Sequence, residues 1–317
     1  MWEHSRHDGP DGLCGRGPLL SGVLSLSLSQ LTSPDNVHPP PLRPAQSAIT
    51  TVTRSPDLRG QTVLVLHAHP DDEAIFTGIT LSRLAEAGAR TVLVVATAGE
   101  LGQSRLPLRP GETIPERRVA ELERAAGLLG VSRLVLLGRR DSGLPGWSDG
   151  QHARALMAAD PLRLARHVAE IADDEGAGTL VHDDEHGIYG HPDHRAAFRI
   201  GATAAELVGA TGYRVTVDRE HLHITARDQH LVHGAARAAA VPFGRVTAEI
   251  GLAVSGSPGH LGRKRAAMIS HSSQIAPEDV PDAGFASAYG IEWYRRSGEP
   301  GLLDELGNVH LLAGAPA

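Results

Sequence analysis

The chain has 317 residues, 41% of them hydrophobic but only 3% aromatic, so a sizeable core is possible and must rest on Leu, Val, Ile and Ala. A formal net charge of −7, with Lys264 the sole lysine, leaves no broad cationic surface and excludes nucleic acid as the main partner. Cys14 is the sole cysteine, which excludes an internal disulfide framework and a thiolate-rich metal site; a cytoplasmic location is expected.

In chain order, residues 1–57 carry the run His38-Pro39-Pro40-Pro41, many Ser and Gly, and no sustained period. They are expected to be a disordered extension ahead of one domain over 58–317. Within them Gly17–Leu31 is mildly apolar but lacks a strongly basic flank and a clean cleavage site, so no signal peptide is expected. No apolar run approaches the ~20 residues of a membrane span. Thr62–His67 is a short, β-branched apolar run that suits a buried parallel strand. Ala74–Ala87 reads as a helix stopped by Gly88, and Thr91–Thr97 as a second strand. A helix over Pro115–Leu129, closed by Gly130, leads to a third strand at Arg133–Leu137. A helix at Pro161–Asp174, a strand at Thr179–His182, a helix at Pro192–Val208 and a strand at Tyr213–Val217 follow. Repeated strand–helix units predict an α/β, Rossmann-like three-layer sandwich with a mostly parallel sheet. Ligands then bind beyond the carboxyl ends of the strands.

Two segments at such ends carry chemistry. The first strand runs into His67-Ala68-His69-Pro70-Asp71-Asp72-Glu73, and the fourth is followed by Tyr189-Gly190-His191-Pro192-Asp193-His194. In each, Pro suits the first helical position, with His69 or His191 as N-cap. His69 with Asp72, and His191 with His194, are then three apart on one helix face. Acids in a first turn have a plain dipole explanation; histidines there do not. Together the segments offer His69, Asp72 and His194 as two nitrogens and a carboxylate for a catalytic zinc, with a fourth position open to water. Iron(II) suits the same set. Only one of His191 and His194 need ligate. Asp71 is free to act as general base, and His191 to meet a substrate carbonyl or leaving amine, as an imidazolium if charged. Asp193 would hold the His191 tautomer.

At these residues the chain resembles the LmbE-like, or GlcNAc-phosphatidylinositol, de-N-acetylases, which include the mycothiol-pathway deacetylases. The resemblance rests on Ala68–Glu73 (AHPDDE) and His191–His194 (HPDH), with softer matches at Thr97–Glu100, Arg118 with Glu121, Asp141–Gly143 and His271–Gln274. It runs from about Leu58 to about Ile275. It implies His69, Asp72 and His194 as metal ligands, Asp71 as base, and His191 as the group polarising the carbonyl or protonating the leaving group. It also implies that Tyr189 assists at the carbonyl oxygen. Asp184–Tyr189 is similar to the Asp-Pro-His-Gly-Gly-Tyr pattern of mycothiol-type members, with Glu185 and Ile188 in place of Pro and Gly. The implied activity is hydrolysis of an N-acetyl or small N-acyl amide on an amino sugar or its conjugate.

Four further residues are candidates for substrate contact. Glu100 ends a strand, Arg118 carries a fork of donors, and His271 and Gln274 could line a sugar pocket. Their plain alternatives are a loop carboxylate, an ion pair of Arg118 with Glu121 or another nearby acid, and capping groups. Two rivals stand beside the small-acyl reading: an amidase for a bulkier thiol conjugate or acylated natural product, and a binding protein on a dead enzyme fold. The second would have lost Asp71 or a ligand. A dinucleotide-binding domain would carry a glycine-rich turn where this chain has HAHPDDE.

Overall fold

A computed structural model describes residues 56–226 and 228–307. The expected N-terminal extension lies, but for its last two residues, outside the described residues; Leu58 is buried and its amide donates to Ala87 O at 2.8 Å. The elements alternate as the periodicity predicts: β1 Thr62–His67, α1 Asp72–Glu86, β2 Arg90–Thr97, α2 Ile114–Leu129, β3 Arg133–Arg139, α3 Pro161–Glu175, β4 Thr179–Asp183, α4 Pro192–Val208 and β5 Thr211–Thr216. Beyond the predicted elements come α5 Val232–Ala239, β6 Leu252–Ser255, α6 Pro258–Ser270, β7 Ile291–Ser297 and α7 Leu302–Leu306.

The sheet order is β3-β2-β1-β4-β5-β7-β6. Pairs among β1 to β5 are parallel, whereas β7 runs antiparallel to both β5 and β6. Alternation along β1 sends Val63 and Val65 to one face and Leu64 and Leu66 to the other. The first face packs on α1, α2 and α6 through residues such as Ile79, Leu122 and Met268. The second packs on α3 and α4 through Val168, Ala197 and Ile200. Three layers result. On the second face Gly201 of α4 lies against β4, where a Cβ would come within 2.4 Å of His182 Cβ. None of the described helices is long and apolar enough to cross a membrane.

Successive strands leave β1 in opposite directions, β2 on one side and β4 on the other. That reversal opens a crevice between the carboxyl ends of β1 and β4, the expected place for a ligand. Both His-Pro-Asp segments begin there.

Candidate active site

The parallel register of β1 and β4 pairs Leu66 with His182, so the next residues, His67 and Asp183, come together. His67 Nδ1 lies 3.0 Å from Asp183 Oδ1, and His194 Nδ1 lies 2.8 Å from Asp183 Oδ2. With Nδ1 spent on Asp183, His194 presents Nε2 to the crevice. That nitrogen is buried and has no hydrogen-bond partner among the described residues. Asp72 Oδ1 is 3.6 Å from it, and Asp72 Oδ2 is 3.6 Å from His69 Nδ1. The ring nitrogens offered by His69, His191 and His194 lie within 4.8 Å of one another. A buried polar atom left unpaired costs about 1–3 kcal/mol, so His194 Nε2 calls for a ligand. The histidine cluster could hold a divalent cation, with Asp72 beside His69 and His194, and such a nitrogen–oxygen donor set suits zinc or iron(II). Asp183 orients His194 as carboxylates orient metal-bound histidines. Burial opposes charge on Asp72, yet His194 and His69 beside it hold its carboxyl well below the usual range.

The two segments are not built alike, which departs from the expected layout. In the second, His191 is the N-cap and Pro192 the first helical residue, as predicted. In the first, Asp71 is the N-cap, with φ 106° and ψ −28°, and α1 begins only at Asp72. A left-handed aspartate is strained and needs outside support. Glu73 Oε2 accepts the Asp71 amide at 2.9 Å, and Glu73 Oε1 is tied to His271 Nε2 at 2.6 Å. Arg118 supplies the rest: Nη1 donates to Gly99 O at 2.8 Å, and Nη2 to Pro70 O at 2.5 Å and Asp71 Oδ2 at 3.2 Å. The turn rotates the Asp71 carboxylate away from Asp72 and into the cavity. Burial pushes its carboxyl up to about 6, against the pull of Arg118.

Arg118 therefore pairs with Asp71 rather than with Glu121. Glu121 instead accepts Ser272 Oγ at 3.0 Å, Ser273 N at 2.9 Å and Ser273 Oγ at 2.6 Å, pinning the segment that carries His271 and Gln274. His271, expected to face a sugar, is fully buried behind Glu73. Glu100 accepts the Asp141 amide at 2.9 Å and does not line the cavity. Arg118 and Gln274 do line it, with His69, Asp71, Tyr189 and His191, around a volume of about 270 Å³.

His191 Nδ1 accepts the Asp193 backbone amide at 3.1 Å, so the ring proton sits on Nε2. Burial, with His69 and His194 nearby, pushes this histidine down to about 3. That lowering favours the neutral ring, an N–H donor at Nε2, over the imidazolium. The Asp193 carboxylate does not hold it: Oδ2 accepts Ser142 N at 2.9 Å and lies 3.2 Å from His69 Nε2. Asp193 thus serves both histidines, its carboxylate orienting His69 and its backbone amide setting the His191 tautomer. Tyr189 stands edge-on to His194 and His191, with ring centres 5.1 and 5.8 Å away. Burial raises its phenol above the ordinary value, keeping the hydroxyl protonated.

The Asp184–Tyr189 loop explains its own departures. Ile188 replaces the glycine of the resembling pattern yet holds φ 55°, and is fully buried. Asp184 Oδ1 accepts its amide at 2.9 Å and Gly244 donates to its carbonyl at 2.6 Å. Glu185, in the proline position, is clasped by Arg245 and Arg295. Asp183, His67 and Glu73 received no individual role from the sequence; the signal available was their place at or beside the strand ends that carry the two motifs.

A profile of the family described as "PIG-L: GlcNAc-PI de-N-acetylase" matches residues 64–205. A 1D-myo-inositol 2-acetamido-2-deoxy-alpha-D-glucopyranoside deacetylase of Salinispora arenicola is 32% identical over 276 residues, 78% of this chain and 87% of that protein. The protein of the same description from Thermomonospora curvata is 34% identical over 266 residues, 73% of this chain and 89% of its own. Among solved structures, a deacetylase of the teicoplanin biosynthesis pathway superposes with a TM-score of 0.50 at 19% identity, covering 76% of this chain and 100% of that one, a likeness of fold alone. The chain belongs to the PIG-L family of GlcNAc-PI de-N-acetylases.

Proposed function

We propose that the protein hydrolyses an N-acetyl or similarly small N-acyl amide on an amino sugar or amino-sugar conjugate, using zinc, or iron(II), held by His69, Asp72 and His194. The observation that carries this reading is His194 Nε2: a buried imidazole nitrogen, without a hydrogen-bond partner among the described residues, beside Asp72 and oriented from behind by Asp183. The relatives named as deacetylases of an acetamido-sugar inositol support the reaction class. A divalent ion held there supplies Lewis acidity, which polarises an amide carbonyl and acidifies water.

The remaining work falls to groups lining the cavity. Asp71, aimed inward by its left-handed turn and steadied by Arg118, takes the proton from the attacking water. His191 donates Nε2–H toward the acyl oxygen, and the Tyr189 hydroxyl donates beside it as negative charge develops. Arg118 and Gln274, with the Asp141 carboxylate, face the sugar hydroxyls. The proton taken by Asp71 returns to the amine as the C–N bond breaks, yielding free amine and carboxylate.

The test is acetate release from N-acetylated amino sugars and their inositol and aryl glycosides, with the protein stripped of metal and then reloaded with zinc or iron(II). Activity lost on stripping and restored by one of the metals is expected. Equal activity of the stripped protein would remove the metal from the proposal, and no release from any N-acetyl sugar would remove the substrate class.

A further inference from the structure

Beside the catalytic cavity lies a second one of about 470 Å³. Leu144 and Trp147 line both and form the wall between them. Gly190 and Pro192, the neighbours of His191, line the second cavity too, so it backs directly onto the catalytic segment.

Its chemistry differs from that of the first. The catalytic cavity mixes Asp71 and Asp141 with its cationic and neutral groups. The second is lined by Arg195 and Arg199, with Gln151, Met157 and Trp147, and by no carboxylate among the described residues. In a chain of net charge −7 that is a local reversal of sign. Arg195 and Arg199 are four apart on α4 and so share a face. Arg195 donates from Nε to His186 O at 3.2 Å, and neither of its terminal nitrogens has a partner among the described residues. Arg199 has no hydrogen bond or ion pair there at all. Other arginines contrast: Arg140 is paired with Asp149 at 3.1 Å, and Arg245 with Glu185.

Trp147 is 47% exposed and Met157 45% exposed, a large apolar surface to leave in water. The indole lies against Gly143, where a Cβ would come within 2.7 Å of its ring, so the chain has made room for it there. An aromatic wall beside two unpaired guanidinium forks recognises a ring that carries a carboxylate or phosphate. A small acyl group needs little room, so a group reaching past Trp147 belongs to the amine half of the substrate.

We infer that this second cavity is a subsite for an acidic group borne on a ring or apolar linker in the amine half of the substrate. The inference rests on the proposed deacetylase reading, and two separate measurements keep the two apart. The first compares kcat/KM for acetate release from the phenyl and 4-carboxyphenyl glycosides of N-acetylglucosamine. The second compares, by titration calorimetry on the same metal-loaded protein, the affinities of the corresponding free-amine glucosaminides, which require no hydrolysis. The 4-carboxyphenyl member should be favoured about tenfold in both, the gap shrinking with added salt because the arginines are exposed. Arg199→Met should erase the preference while leaving the phenyl glycoside rate unchanged, and Trp147→Ala should weaken both compounds. Acid-linked binding lost in Arg199→Met, without acetate release, would keep the subsite and overturn the deacetylase reading. Acetate release without acid preference, or a preference that survives Arg199→Met, would overturn the subsite and keep the deacetylase reading. Neither binding nor release would overturn both.

Discussion

Lys264 offers the sharpest test of how α1, the helix that opens with Asp72, is held. Its ammonium lies 2.7 Å from Glu292 Oε1, and both side chains are 1% exposed. The same carboxylate accepts the amides of Ile79 and Thr80, within α1, at 2.8 Å each, and Thr80 Oγ1 at 2.7 Å. Tyr294 OH lies 3.3 Å away. Glu292 on β7 therefore anchors the middle of α1, and Lys264 on α6 neutralises it. Lys264→Met keeps most of the aliphatic stem but leaves the buried carboxylate without its cation. Breaking a buried pair from one side costs about 3–5 kcal/mol. Here the neutral donors that remain on the carboxylate place the cost near the lower end, about 3 kcal/mol. For a domain of this size that is a fall in Tm of roughly 6–12 °C. Adding Glu292→Gln removes the stranded charge yet keeps an oxygen for one of the two helix amides, so the double variant should recover about 1 kcal/mol. Equilibrium urea unfolding followed by far-ultraviolet circular dichroism measures both, with the m-value expected to stay constant. A loss below about 1 kcal/mol for Lys264→Met, or a double variant no better than the single, would refute this account.

Metal content and rate should separate the two aspartates of the first motif. His69→Ala and Asp72→Asn are expected to lose most bound metal by elemental analysis, whereas Asp71→Asn keeps it and loses ~10²–10⁴ in kcat; metal loss by Asp71→Asn alone would reverse the roles. Arg118→Lys should lower kcat as well as raise KM, because one ammonium cannot span Gly99 O, Pro70 O and the Asp71 carboxylate at once; steady-state kinetics with kcat intact would return Arg118 to a binding role only. His182 gives a pH signature in stability. Burial pushes it down to about 4, so between the ordinary histidine value and pH 4 the unfolded chain binds a proton that the folded chain does not. Stability should fall with falling pH in that window by about 1.4 kcal/mol per unit. His182→Asn, which keeps a donor for Asp183 O, should flatten the slope measured by urea unfolding at several pH values; an unchanged slope assigns it to another group.

Much of this protein is legible from local pattern. Strand and helix declare themselves by period and by Pro and Gly punctuation, properties of near neighbours in the chain, and these sufficed for β1 to β5 and the helices between them. Because parallel α/β sheets gather chemistry at strand ends, the same pattern located the two His-Pro-Asp segments at one crevice. Identity of groups decided that much: imidazole and carboxylate three residues apart are candidate ligands in a fold that brings the segments together.

What the sequence left open depends on which distant residues become neighbours, and only packing settles that. The register of β1 against β4 puts Asp183 between His67 and His194, residues 116 and 11 positions away from it. β7 enters antiparallel between β5 and β6, a choice of edge that no local period encodes, and through Glu292 it anchors α1. The left-handed turn at Asp71 breaks the expected symmetry of the two motifs because Arg118 and the Glu73–His271 pair, brought from α2 and the end of α6, are there to hold it. Arg118 had Glu121 within reach on its own helix, but Ser272 and Ser273 occupy that carboxylate, and the guanidinium goes to Asp71. Charge pairing in a folded chain is a competition among all groups within a few ångströms, and the list of competitors exists only once the tertiary structure has formed.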